Sequence, residues 1–80
     1  MKRSLQKNQV EQVIDALMKA RKDKGLSHVE LAKVTGLHHS SISLIESKKR
    51  QPTLLTCMRI AAALECDLGK LISETQTATR

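Results

Sequence analysis

Apolar residues in this chain recur at helical spacings, and no run alternates apolar with polar residues for long. Val10, Val13, Ile14, Leu17 and Met18 follow one another at steps of three, one, three and one. No Asn-Gly or Asp-Gly pair marks a hairpin. The pattern predicts helices and nothing else. Eighty residues allow one small domain. A domain of that size has a marginal core, so self-association would help it.

Punctuation divides the pattern. Asn8 with Glu11 resembles a capping box, and Gly25 suits the position just past a helix end, so the first helix reads as about 9–24. Ser27 and Glu30 form a second capping box, which opens a short helix at His28 that Gly36 closes. Thr53 can cap a helix carrying Leu54, Leu55, Met58, Ile60, Ala61 and Leu64. Apolar residues nearly encircle that helix, which predicts a place at the centre of the core. Asp67 can cap a last short helix with Leu68, Leu71 and Ile72. The expected organisation is a flexible basic arm over 1–8, a folded domain over 9–72 and a polar, disordered tail over 73–80.

Composition narrows the function. The formal net charge is +6, which favours a polyanionic partner. The chain has no Phe, Trp or Tyr, so it lacks the stacking platforms of most single-strand binders. No stretch approaches the roughly 20 apolar residues of a membrane span, so no membrane partner is expected. The start MKRSLQKNQ has no apolar signal core. Two Cys in that context read as reduced thiols in a cytoplasmic chain. Cys57 and Cys66 are nine apart, and the three His lack zinc-ligand spacing, so no metal or other cofactor is expected. Gly69-Lys70 lacks the upstream Gly of a phosphate loop, and nothing sets Ser, His and Asp as a triad, so the chain does not read as an enzyme.

The informative stretch is SHVELAKVTGLHHSSISLIE, residues 27–46. Ala32 is small where two helices would cross, and Gly36 can take the positive φ of a short turn between them. Leu31, Leu37, Ile42 and Ile45 would face inward and lock the pair, leaving the second helix to protrude. With Lys24-Gly25-Leu26-Ser27 upstream, and with Pro52-Thr53-Leu54 and Arg59-Ile60-Ala61-Ala62-Ala63-Leu64 downstream, the chain resembles the Cro/C1-type, or XRE, family of helix-turn-helix regulators. The resemblance covers about residues 10–72 without insertions. It implies an all-α, compact five-helix domain like that of lambda repressor, with helices 2 and 3 forming the DNA-reading motif.

From the resemblance, the start of helix 3 reads base edges through His39, Ser40, Ser43 and Leu44. His28 replaces the family's usual Gln, and a phosphate contact or a pairing with His39 is expected of it. His38 stands where the family prefers Ser or Thr as the cap. Either it contacts DNA itself, or helix 3 starts later with Ser40 as cap. Ser41 is phased towards phosphates, and Lys48, Lys49 and Arg50 lie in the loop that follows the sugar-phosphate backbone. Lys48 occupies a position often held by Gly, and is strained if the loop needs positive φ there. Arg21 and Glu46 match a buried ion pair that sets the reading angle.

These expectations describe a sequence-specific regulator of double-stranded DNA that acts as a repressor, or by touching RNA polymerase from an adjacent site. A homodimer is expected because one short helix reads few bases, with its surface around Cys66, Leu68, Leu71 and Ile72. Two reading helices would then lie about 34 Å apart on a palindrome. Restriction–modification controllers and antitoxin-type autoregulators are alternatives within this class. A helix-turn-helix adaptor that binds protein is the rival outside it.

Overall fold

The computed structural model describes residues 7–78, and the expected arm and the last two residues of the expected tail fall largely outside them. Five helices follow in order: α1 Lys7–Asp23, α2 His28–Thr35, α3 His39–Glu46, α4 Leu54–Ala63 and α5 Leu68–Ala78. No strand occurs among the described residues. Val13, Leu17, Leu31, Ile42, Ile60, Ala61 and Leu64 form one buried cluster, with Ile14 and Ile45 buried beside them. Burying each of the larger side chains contributes about 1.5–3 kcal/mol. The core is built from aliphatic branches alone, so neighbouring backbones can approach closely.

The caps explain the boundaries. Ser27 accepts from the Glu30 N–H at 3.1 Å, and the Glu30 carboxylate accepts from the Ser27 N–H at 2.8 Å, a reciprocal box that starts α2. That contact holds the Glu30 carboxyl below the usual carboxylate range. Thr53 accepts from the Thr56 N–H at 3.1 Å and starts α4. Asp67 accepts from the Lys70 N–H at 3.1 Å at the start of α5. Asn8 caps nothing, because it lies inside α1, one residue past Lys7.

Two further differences concern packing. α5 runs through Ala78 rather than stopping at Ile72, and Thr75 is buried, its hydroxyl donating to the Ile72 carbonyl at 2.7 Å. That hydroxyl hides its polarity inside the helix, so a polar-looking stretch still packs. α4 is not apolar core all round: Ile60 and Ala61 are buried, whereas Leu54, Leu55 and Met58 are 65%, 57% and 53% exposed. α4 packs chiefly against α2 and α5, which leaves its remaining face exposed.

Candidate nucleic-acid interface

The turn between α2 and α3 is set locally. Thr35 is buried, and its hydroxyl donates to the Leu31 carbonyl at 2.8 Å while accepting from the Leu37 N–H at 3.3 Å. Gly36 follows at φ 76° and ψ 11°, its N–H returning to the Ala32 carbonyl. A side chain with Cβ is strained in that region, which is why glycine suits the position. Leu31 and Ile42, each 1% exposed, lock the two helices together across the turn.

His38 is the cap of α3. Its Nδ1 accepts from the Ser40 N–H at 3.2 Å and lies 2.7 Å from the Ser40 hydroxyl. Nδ1 accepts from the Ser40 N–H through its ring lone pair. The alternative in which α3 begins later with Ser40 as cap is therefore overturned. A ring nitrogen two bonds beyond Cβ reaches the same N–H that a serine oxygen would. His39 begins the helix and stacks on His38, with ring centroids 4.6 Å apart and planes 28° apart.

The outer face of α3 carries His39, Ser40 and Ser43, all exposed, while Ser41 and Leu44 are half-buried. The Ser40 hydroxyl is partly occupied by the cap, and the Ser43 hydroxyl and the His39 ring nitrogens have no hydrogen-bond partner among the described residues. These two groups are free to reach a ligand. Behind this face, Arg50 donates from Nη1 to the Ser41 hydroxyl at 3.0 Å and ties the following loop to the helix. Lys49 has no ion-pair partner among the described residues. Lys48 is at φ 68°, in the left-handed region, and its ammonium pairs with Asp15 of α1 at 2.6 Å. Asp15 gave no signal in the sequence, since the two residues are 33 positions apart.

A polar cluster fixes the back of α3. Arg21 Nε donates to Glu46 Oε2 at 2.7 Å, Nη2 to Oε1 at 3.0 Å, and Nη1 to the Leu26 carbonyl at 2.6 Å. The Arg21 and Glu46 side chains are 11% and 12% exposed. His28 Nε2 donates to Glu46 Oε1 at 2.9 Å, since a carboxylate can only accept. His28 thus braces α3 through Glu46, not through His39, and the expected pairing of the two imidazoles does not occur. Burial pushes the Glu46 carboxyl up, but the hydrogen bonds and charges of Arg21 and His28 outweigh it and hold it below the usual carboxylate range.

Cys66, Leu68, Leu71 and Ile72, expected at a dimer surface, are half-buried against the chain's own core. Much of that apolar face is used inside the fold. Among the described residues no group of His, Cys, Asp or Glu is placed to hold a metal, and no helix is long and apolar enough to cross a membrane.

A protruding short helix, a glycine turn beneath it and a cationic loop beside it match a known arrangement. The family model for helix-turn-helix domains matches residues 17–71. The chain belongs to the XRE-type helix-turn-helix family. α2 and α3 form its helix-turn-helix. Control protein C.SmaI of Serratia marcescens is 38% identical over 53 residues, covering 66% of this chain and 63% of its own. Antitoxin HigA1 of Mycobacterium tuberculosis is 38% identical over 65 residues, covering 81% of this chain and 43% of its own. The chain therefore spans less than two thirds of the length of these relatives.

Proposed function

We propose that this helix-turn-helix protein is a homodimeric repressor that recognises a palindromic operator through α3. The exposed face of His39, Ser40 and Ser43, with Arg50 of the following loop tied to Ser41 of the same helix, carries this reading. His39 donates to guanine O6 or N7, the serines adapt to donor or acceptor edges, and Leu44 offers a methyl contact to thymine. Ser41, His38 and His28 lie nearer the strands and serve phosphate positioning with Lys48, Lys49 and Arg50. Lys48 exchanges Asp15 for a phosphate at small cost, because its ion pair is exposed and screened by salt. Occupancy of the operator blocks polymerase.

The relatives favour a second reading within the same class. Control protein C.SmaI and antitoxin HigA1 are both similar to this chain, which supports a restriction–modification controller or antitoxin-type autoregulator. Selection of bound duplexes from a random pool tests the main reading. It should return two inverted half-sites, with centres about one helical turn apart. Recovery of single, unpaired half-sites would overturn the dimeric operator, and recovery of no consensus would overturn base reading.

A further inference from the structure

All three histidines of the chain lie in or beside the helix-turn-helix, and their hydrogen bonds differ in kind. His28 donates from Nε2 to the Glu46 carboxylate, and that bond keeps its direction whether or not the ring is charged. His38 is different. Its Nδ1 lies 2.7 Å from the Ser40 hydroxyl oxygen, and a gap that short holds a proton between the two atoms. Either the hydroxyl donates to the ring or the ring donates to the hydroxyl. The Ser40 N–H, 3.2 Å from the same nitrogen, decides between them in the neutral ring, because a protonated Nδ1 would meet it donor against donor. The neutral cap therefore leaves Nδ1 bare and the hydrogen on the serine oxygen. The shorter contact takes the larger part of the single Nδ1 lone pair, and the backbone N–H takes the smaller.

We propose that His38 sets the hydrogen-bond polarity of Ser40, and through it the class of base that Ser40 reads. The proposal rests on the reading of bases by α3 given above. With its hydrogen held by Nδ1, the Ser40 hydroxyl turns only lone pairs outward and accepts. It then favours the amino bases, through adenine N6 or cytosine N4 in the major groove. When the ring takes a second proton from solvent, Nδ1–H donates to the serine oxygen instead. The hydroxyl keeps its hydrogen and rotates it outward. Ser40 then donates, and favours the keto bases, through guanine O6 or thymine O4. Histidine is the side chain whose charge changes between about pH 5 and 8, so both states are open to experiment. The ring is exposed, and no carboxylate pairs with it among the described residues. His39 stacks on it, Lys33 stands in the last turn of α2, and Lys49 and Arg50 stand in the following loop, with Arg50 tied to Ser41. Other charged groups around α3 are engaged elsewhere: Arg21 and His28 with Glu46, Asp15 with Lys48, and Glu30 with Ser27.

Selection of bound duplexes from a random pool at about pH 8 and about pH 5.5, with wild type, Ser40→Ala and His38→Asn, tests this control. The asparagine Oδ1 stands two bonds beyond Cβ, as Nδ1 does, and caps α3 with no proton to gain. The base pair that loses its preference in Ser40→Ala is the one Ser40 reads. In the wild type that preference should turn from amino to keto base as pH falls, by about threefold or more in relative affinity, the worth of one hydrogen bond. In His38→Asn it should stay amino at both pH values. Long-range proton–nitrogen correlation spectra of the free protein at the higher pH should show His38 protonated on Nε2. A preference that stays the same or fades without turning, a turn that His38→Asn retains, or a neutral His38 protonated on Nδ1 overturns the control by His38 alone. A wild type with no base pair sensitive to Ser40→Ala overturns base reading by Ser40, and this proposal with it.

Discussion

Removing Arg21 should destabilise the fold strongly, and the structure supplies the size. Arg21 makes two near-parallel bonds to Glu46 and a third to the Leu26 carbonyl, in a site where both side chains are about nine-tenths buried. Arg21→Met keeps the aliphatic stem and deletes the charge. Glu46 is then left buried with His28 as its one remaining partner, and the Leu26 carbonyl loses its donor. Breaking a buried pair on one side costs about 3–5 kcal/mol. A domain of this length has about 4–12 kcal/mol in total, so the loss is about a quarter or more of its stability. The double variant Arg21→Met, Glu46→Leu should recover most of it, because replacing both partners removes the stranded charge. The chain has no Trp or Tyr, so urea unfolding is followed by far-ultraviolet circular dichroism. A single-variant loss below about 1 kcal/mol would show that the pair is screened like a surface one and would refute the reasoning.

Gly36→Ala should cost about 1–2 kcal/mol purely through backbone strain, since a Cβ there meets nothing within 4 Å; an unchanged urea midpoint would contradict this. Lys48→Gly and Lys48→Ala both delete the Asp15 pair, yet the glycine variant should be the more stable by about 1 kcal/mol at φ 68°, with equal loss of DNA affinity. The pH dependence follows from Glu46. Its folded value lies below its unfolded one, so the folded state binds fewer protons in that interval and stability rises with pH across it. The contribution is complete above the ordinary glutamate range near about 4.3 and is lost as pH falls through the lower folded value. Glu46→Gln should therefore flatten the dependence of unfolding free energy on pH below about 5, and equal slopes in the two proteins would count against it.

The parts of the fold governed by short-range chemistry were legible in the sequence. The Ser27–Glu30 box, the Gly36 turn and the Thr53 and Asp67 caps depend on residues within four positions of one another, and each was located from spacing alone. Helix-capping by His38 was not legible, because propensity ranks imidazole poorly and says nothing of where Nδ1 reaches. The end of α5 was missed for a related reason. Thr75 looks polar in sequence but hides its hydroxyl on the Ile72 carbonyl. Contacts between distant residues, such as Asp15 with Lys48 or His28 with Glu46, have no local trace. The breadth of apolar residues on α4 was visible, but sequence cannot tell a face that packs inside the fold from one left exposed.

The central claim is that the outer face of α3 reads bases while the loop after it grips phosphates. The direct measurement is affinity for a selected operator and for random duplex across a salt series, in wild type, Ser43→Ala and Arg50→Ala. Arg50→Ala should weaken both duplexes alike and reduce the salt slope by about one ion. Ser43→Ala should leave the slope and random binding unchanged while lowering the preference for the operator. Equal losses on both duplexes from Ser43→Ala, or an unchanged salt slope in Arg50→Ala, would contradict the account.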